Sequence, residues 1–200
     1  MYDYIIGKLV QKEPSRAIVE TNGIGYDIKI PLTTYSALGE TGTQVQLFTH
    51  LHIREDAHLL YGFAQRSDRD IFLMLLSVSG VGAATALAIL SAMKGSEVSQ
   101  HLAMGNEQAF LAIKGVGTKT TQRLILELKE KAKKLEVTDG YVSTSTATVA
   151  YNSDYELALE ALLQMGFNKT NAEKSIQGIA KKFGKTLSVE EIIKIALKNR

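Results

Sequence analysis

One five-residue pattern occurs twice in this chain, and it constrains the fold more than any other stretch. Ser79-Gly80-Val81-Gly82-Ala83 returns 35 residues later as Lys114-Gly115-Val116-Gly117-Thr118. Each copy follows a short apolar run of helical character, Leu75-Leu76-Ser77-Val78 and Phe110-Leu111-Ala112-Ile113. Each opens onto another such run, Thr85 to Leu90 and Thr120 to Leu128. Helix, Gly-Val-Gly turn and helix, written twice, predict two helical hairpins built alike.

The chemistry of such a turn is specific. A glycine has no Cβ, so it adopts positive φ and lets another molecule approach the backbone. The helix after the second glycine starts with amide N–H groups that lack intrahelical partners, at the positive end of the helix dipole. That combination suits a phosphate. Val81 and Val116 are expected to tuck inward and hold their helices together. In the second copy Thr118 is expected to cap the helix, with Lys119 and Arg123 four residues apart on one face and Lys114 just before the turn. The first copy has Ala83 and Ala84 in the places of Thr118 and Lys119. It must use backbone amides, its dipole and borrowed charge. A single Gly-x-Gly between helices is more often a plain αα-turn. Two copies with matching flanks read as tandem helix-hairpin-helix motifs, which grip a nucleic-acid backbone without reading bases.

Charge follows the repeat. The whole chain of 200 residues is only +2, but residues 1–64 hold 5 Lys/Arg against 7 Asp/Glu, and residues 65–135 hold 10 against 6. Residues 136–154 hold no Lys or Arg against 3 acids, and residues 155–200 hold 8 against 5. The positive excess around the turns is what phosphate binding requires. Cysteine is absent, which excludes disulfides, thiolate metal sites and cysteine nucleophiles. No apolar run approaches membrane-spanning length, and Met1-Tyr2-Asp3-Tyr4 lacks a basic leader, so a cytoplasmic protein without membrane contact is expected.

The expected fold class is α+β and multidomain. Residues 1–64 read as β, with strands at 4–10, 17–21, 26–30, 45–53 and 59–63 and a short helix at 33–38. Five short strands in this length point to a closed OB-fold barrel. Residues 65–135 read as an all-α tandem hairpin domain. In it Ser67-Asp68-Arg69-Asp70 resembles a capping box before a helix at 71–78. Further helices are expected at 83–93, after Ser96, after Asn106, and at 119–135. The Lys129 to Lys134 charge run is read as a solvated helix end. The Ser/Thr-rich stretch 136–154 reads as a flexible linker. Residues 155–200 read as a three-helix, ubiquitin-associated-like bundle with helices at 155–165, 169–183 and 189–198, N-capped by Asn168 and Ser188. Its Ala161 to Phe167 segment resembles the Met-Gly-Phe loop of such bundles, which dock partners through an apolar surface; Met165 and Phe167 could equally pack the core.

No catalytic constellation emerges, and no metal or other cofactor is expected. His50 and His52 alternate along a strand, as surface histidines commonly do; a metal site from the pair is the less favoured reading. Gly7-Lys8 lacks the context of a nucleotide loop. The competing readings are a hairpin-containing nuclease or glycosylase, and a protein-interaction adaptor built on the last bundle. Asp68 and Asp70 are better explained as helix-start charges than as nuclease carboxylates. The basic middle region argues against a pure adaptor.

The order of regions, and several stretches within them, resemble the RuvA family of Holliday-junction-binding subunits. The most similar are Phe48 to Phe63, containing Thr49-His50-Leu51-His52-Ile53-Arg54-Glu55-Asp56, then Asn22 to Tyr26, and Ala86 to Ser91. The resemblance implies a homotetramer holding an open four-way junction, with one or two tetramers on the DNA, in recombination and repair. It implies that Glu55 and Asp56 form an acidic pin at the junction centre. It also implies that Gly80, Val81, Gly82, Gly115, Val116 and Gly117 form the DNA-binding turns, with Arg54, Lys114, Thr118, Lys119 and Arg123 beside them. The bundle, through Leu162, Met165, Gly166 and Phe167, is implied to meet the RuvB ATPase, which supplies ATP hydrolysis; the RuvC resolvase is a further partner the resemblance admits. Many relatives carry Lys where this chain has Ala84 and Thr118, which puts the direct charge of the first turn in question.

Overall fold

The computed structural model describes residues 2–139, 148–183 and 187–198, and the chain divides into two compact units, 1–141 and 142–200. The first unit opens with a closed barrel. Its strands are β1 (Tyr4–Glu13), β2 (Arg16–Thr21), β3 (Ile24–Lys29), β4 (Gln44–Ile53) and β5 (His58–Phe63), with the short helix α1 (Leu32–Ala37) between β3 and β4. The order around the barrel is β1-β2-β3-β5-β4. All pairs are antiparallel except β3 with β5, where Ile28 faces Leu60 and Lys29 faces Tyr61. Period-two alternation sends Ala17, Val19, Ile28, Leu47 and Leu60 inward to the barrel core. β1 runs three residues beyond its expected end. A register shift between Leu9 and Gln11 lets its second half stay paired with β2, as far as Glu13 opposite Arg16.

β5 is buried on both faces, which period-two reading of one barrel does not require. Leu60 belongs to the barrel core, whereas Tyr61 and Phe63 enter a second core formed with the helices that follow. Their rings lie 5.1 and 4.9 Å from that of Phe72. The helices are α2 (Arg66–Leu76), α3 (Ala83–Ala92), α4 (Gly95–Met104), α5 (Glu107–Leu111) and α6 (Thr118–Asp139). α1 fastens the barrel to them: Thr33 Oγ1 donates to Leu90 O at 2.7 Å, and the Leu32 N–H donates to Ser91 Oγ at 3.0 Å. Buried Thr34 accepts from the Ala64 N–H at 3.2 Å. On the other side the Asp3 carboxylate is held by Arg69, through a short hydrogen bond, and by Arg66 at 2.9 Å. The hydrogen bond from Arg69 is the main reason its carboxyl lies below the usual carboxylate range.

The start of α2 differs from expectation. α2 begins at Arg66, so Ser67 and Asp68 sit inside its first turn and its N-cap Gln65 makes no side-chain cap bond. Asp68 instead turns inward and accepts from the Gly95 N–H at 2.8 Å. It therefore caps α4 from another helix, while Glu97 accepts from the Lys94 N–H at 2.8 Å. Burial raises the Asp68 carboxyl above its usual range; the Gly95 bond and the Lys94 charge oppose that.

The second unit contains α7 (Thr148–Gln164), α8 (Lys169–Phe183) and α9 (Val189–Lys198), packed through Ala158, Leu162, Ala172, Ile176, Ile179, Ile192 and Ala196. The expected caps form: Asn168 Oδ1 accepts from the Thr170 N–H at 3.0 Å, and the Ser188 N–H donates to Glu191 Oε2 at 2.9 Å. Helix enters both ends of the stretch expected as a linker, since α6 reaches Asp139 and α7 starts at Thr148; residues 140–147 lie outside the described residues.

Candidate nucleic-acid interface

The repeat in the sequence is a repeat in space. Gly80 has φ +88° and Gly115 φ +91°, the left-handed region that a side chain would strain. In the first turn the Val81 N–H donates to Val78 O at 3.0 Å; in the second the Val116 N–H donates to Ile113 O at 3.0 Å. The second glycine of each pair accepts the first bond of the outgoing helix, from the Ala86 N–H to Gly82 O at 3.0 Å and from the Thr121 N–H to Gly117 O at 2.9 Å. Val81 and Val116 are both 6% exposed, so each turn is anchored from below as expected. Gly80, Gly82, Gly115 and Gly117 lie on the surface.

This geometry leaves donors facing out. Gly82 is extended at the N-cap of α3 and provides no side-chain acceptor, so the amides at the start of α3 are open to an external one. Gly117 occupies the same place before α6. Thr118, expected as the cap, stands instead in the first turn of α6, because Gly117 O already receives the first helical bond.

The cations are placed less evenly than their sequence positions suggest. Lys114, Lys119 and Arg123 are exposed, as expected for phosphate contacts. Arg123, expected beside the second turn, reaches the first: its Nη1 donates to Ser79 O at 3.3 Å. Sequence reasoning missed this because the partner is a backbone carbonyl 44 residues away. It also missed Thr121, which is fully buried and whose hydroxyl has no hydrogen-bond partner. One signal was available: with the copies aligned, Thr121 falls on Ala86, also fully buried.

The acidic candidates occupy the tip of the β4–β5 connection, closed by the Arg54 N–H donating to Ala57 O at 2.8 Å. Arg54, Glu55 and Asp56 are all exposed. Arg54 Nε lies 3.3 Å from Asp56 Oδ1, and both side chains stay largely exposed. His50 and His52 share one face of β4 but pack into an aromatic row: His50 lies 5.9 Å from Phe72, and His52 6.3 Å from Tyr61. Burial is the main cause that lowers the His50 imidazole below its ordinary value, helped by His52 and Arg69. Among the described residues there is no group of three or more His, Asp or Glu that could hold a metal, and no helix long and apolar enough to cross a membrane.

In the second unit Met165, Gly166 and Phe167 line a groove of about 400 Å³ with Asn168, Asn171 and Ser175. Met165 is exposed, and Gly166 turns there at φ +88°. Leu162, named with them as a partner-binding residue, is fully buried in the bundle core and floors the groove.

Comparison with known proteins covers the same regions in the same order. Residues 1–62 match the RuvA N terminal domain, residues 72–130 the SAM-like helix-hairpin-helix tandem, and residues 155–199 the RuvA C-terminal domain. A protein of Parabacteroides distasonis named Holliday junction branch migration complex subunit RuvA is 44% identical over 198 residues, 99% of either chain. One of the same name from Cytophaga hutchinsonii is 43% identical over 198 residues, again 99% of each. A third, from Neisseria gonorrhoeae, is 39% identical over 199 residues, covering 100% of this chain and 98% of its own. Identity at this level along the full length, through the barrel, the paired turns and the bundle alike, makes this chain a member of the RuvA family.

Proposed function

We propose that this chain binds four-way junction DNA and serves as the non-catalytic DNA-holding subunit of a branch-migration complex. The observation that carries the reading is the pair of turns with matching geometry, glycines outward and helix amides open, beside exposed Lys114, Lys119 and Arg123. Such turns hold phosphates without a base code. Four chains around one junction place two turns on each arm. The Glu55 tip, with Asp56 and Arg54, stands at the centre and repels phosphate, keeping strands apart as they re-pair. The names of the relatives, each a subunit of a branch migration complex, support an assembly with a motor. The RuvB ATPase supplies ATP hydrolysis there, and the bundle meets it through the groove at Met165 and Phe167.

Gel shifts at matched salt, with mass measurement of the bound species, test this. A clear preference for a four-way junction over linear duplex of equal length, with four or eight chains bound, is expected. Replacing Glu55 with Gln and Asp56 with Asn is expected to keep binding and change the open geometry of the arms, read by fluorescence transfer between arm ends. Equal affinity for both DNAs overturns the junction reading; unchanged arm geometry overturns the role of the tip.

A further inference from the structure

We propose that Arg123, although rooted in the second hairpin, is the phosphate-binding cation of the first; this rests on the phosphate reading of the turns given above. α3, the outgoing helix of the first hairpin, carries no charged residue, and the positions equivalent to Lys119 and Arg123 are Ala84 and Ala88. The first turn thus offers amides and a dipole but no charge of its own. Arg123 supplies one. Its Nη1 donates to Ser79 O at 3.3 Å and lies 3.8 Å from the position a Cβ on Gly80 would take. A guanidinium has five N–H donors in a fixed fork, so this bond to Ser79 leaves the others for a phosphate at the same turn. The bond is exposed and adds little to stability; what it fixes is where the charge sits. Lys119, one helical turn earlier, remains with the second turn. Each hairpin then has one principal cation, and both cations come from α6.

The test uses a vacancy the repeat itself provides. Ala84 is exposed at the position equivalent to Lys119, so Ala84→Lys gives the first turn a cation of its own. The full chain is titrated against a four-way junction and a linear duplex across a salt series, as wild type, Arg123→Ala, Arg123→Lys and Lys119→Ala, each with and without Ala84→Lys. For each bound chain, Arg123→Ala is expected to remove one phosphate contact, costing about tenfold in affinity and reducing the salt slope by about 0.9, with the thermal midpoint unchanged. Ala84→Lys should restore most of both losses in Arg123→Ala and do little in wild type or Lys119→Ala. Arg123→Lys should keep the slope while losing part of the affinity, since it keeps the charge but not the fork. If Ala84→Lys adds the same factor in every background, the cycle shows no coupling and Arg123 does not serve the first turn. Equal binding of junction and duplex defeats the junction reading alone, because the cycle is still read on duplex. Binding of neither defeats both.

Discussion

The first hairpin turns at Gly80 with φ +88° and the second at Gly115 with φ +91°, and in each the enclosed valine makes the same 3.0 Å bond three residues back. Yet the helix leaving the first turn is uncharged, while α6 carries Lys119 and Arg123 at its start. Backbone shape and charge are therefore set separately. The glycines, the buried valines and the apolar flanks reproduce the turn, and they do so whatever the exposed positions hold. Charge is free to be redistributed, and one residue of α6 reaches across to the turn that has none.

The largest effect that tests this equivalence comes from the glycines themselves. Gly80→Ala and Gly115→Ala are each expected to cost roughly 1–2 kcal/mol in denaturant unfolding, because both force a side chain into the left-handed region. A Cβ meets nothing within 4 Å at Gly115 and only Arg123 Nη1 at 3.8 Å at Gly80, so sterics do not separate them. Losses differing by more than a kcal/mol would show that the two turns are not the same device. A smaller effect probes the one interior difference. Thr121→Val removes a buried, unpartnered hydroxyl at nearly constant volume and is expected to stabilise the protein by about 1 kcal/mol. The reciprocal Ala86→Thr, which buries a hydroxyl in the first hairpin, is expected to destabilise by at least that much. A destabilised Thr121→Val would mean that this hydroxyl has work the hydrogen bonds do not reveal.

The smallest effect distinguishes what lies beneath the hairpins. α2, the incoming helix of the first, rests on the barrel through Phe72 against His50. His50 is held below the ordinary histidine value, so the unfolded chain binds its proton first as pH falls. The stability this contributes is complete above the ordinary imidazole range and is lost as pH drops through the lowered value. Thermal midpoints measured from pH 8 to 5 should fall, and His50→Phe should flatten the fall while keeping the ring contact. An equal fall in the variant would assign the acid sensitivity to other groups.

Much of this architecture was legible in the chain. Strand alternation gave the barrel, and the Gly-Val-Gly repeat gave both turns, because these patterns act over a few residues. What escaped depends on partners distant in sequence. Asp68 reads as a helix-start charge until α4 is packed against it, when the Gly95 N–H becomes its partner. Arg123 reads as a second-hairpin cation until the hairpins meet and Ser79 O comes within reach. Leu162 reads as a docking or a core residue alike until three short helices take its side chain for their core. α6 passes its expected end by four residues, through Glu136-Val137-Thr138 to Asp139, a stretch whose composition reads as linker.

β5 joins these regions in one further way. It leaves the acidic tip at His58 and ends at Phe63, stacked on Phe72 in the core beneath the first hairpin. Six extended residues span about 20 Å, with hydrogen bonds to β4 along one side. The strand is also paired with β3 at Leu60 and Tyr61, and α1 is bonded to α3, so barrel and helices are joined at two places. On the proposed reading, the strand fixes the spacing between the turns that grip and the tip that parts the strands, like a caliper locked to one gauge.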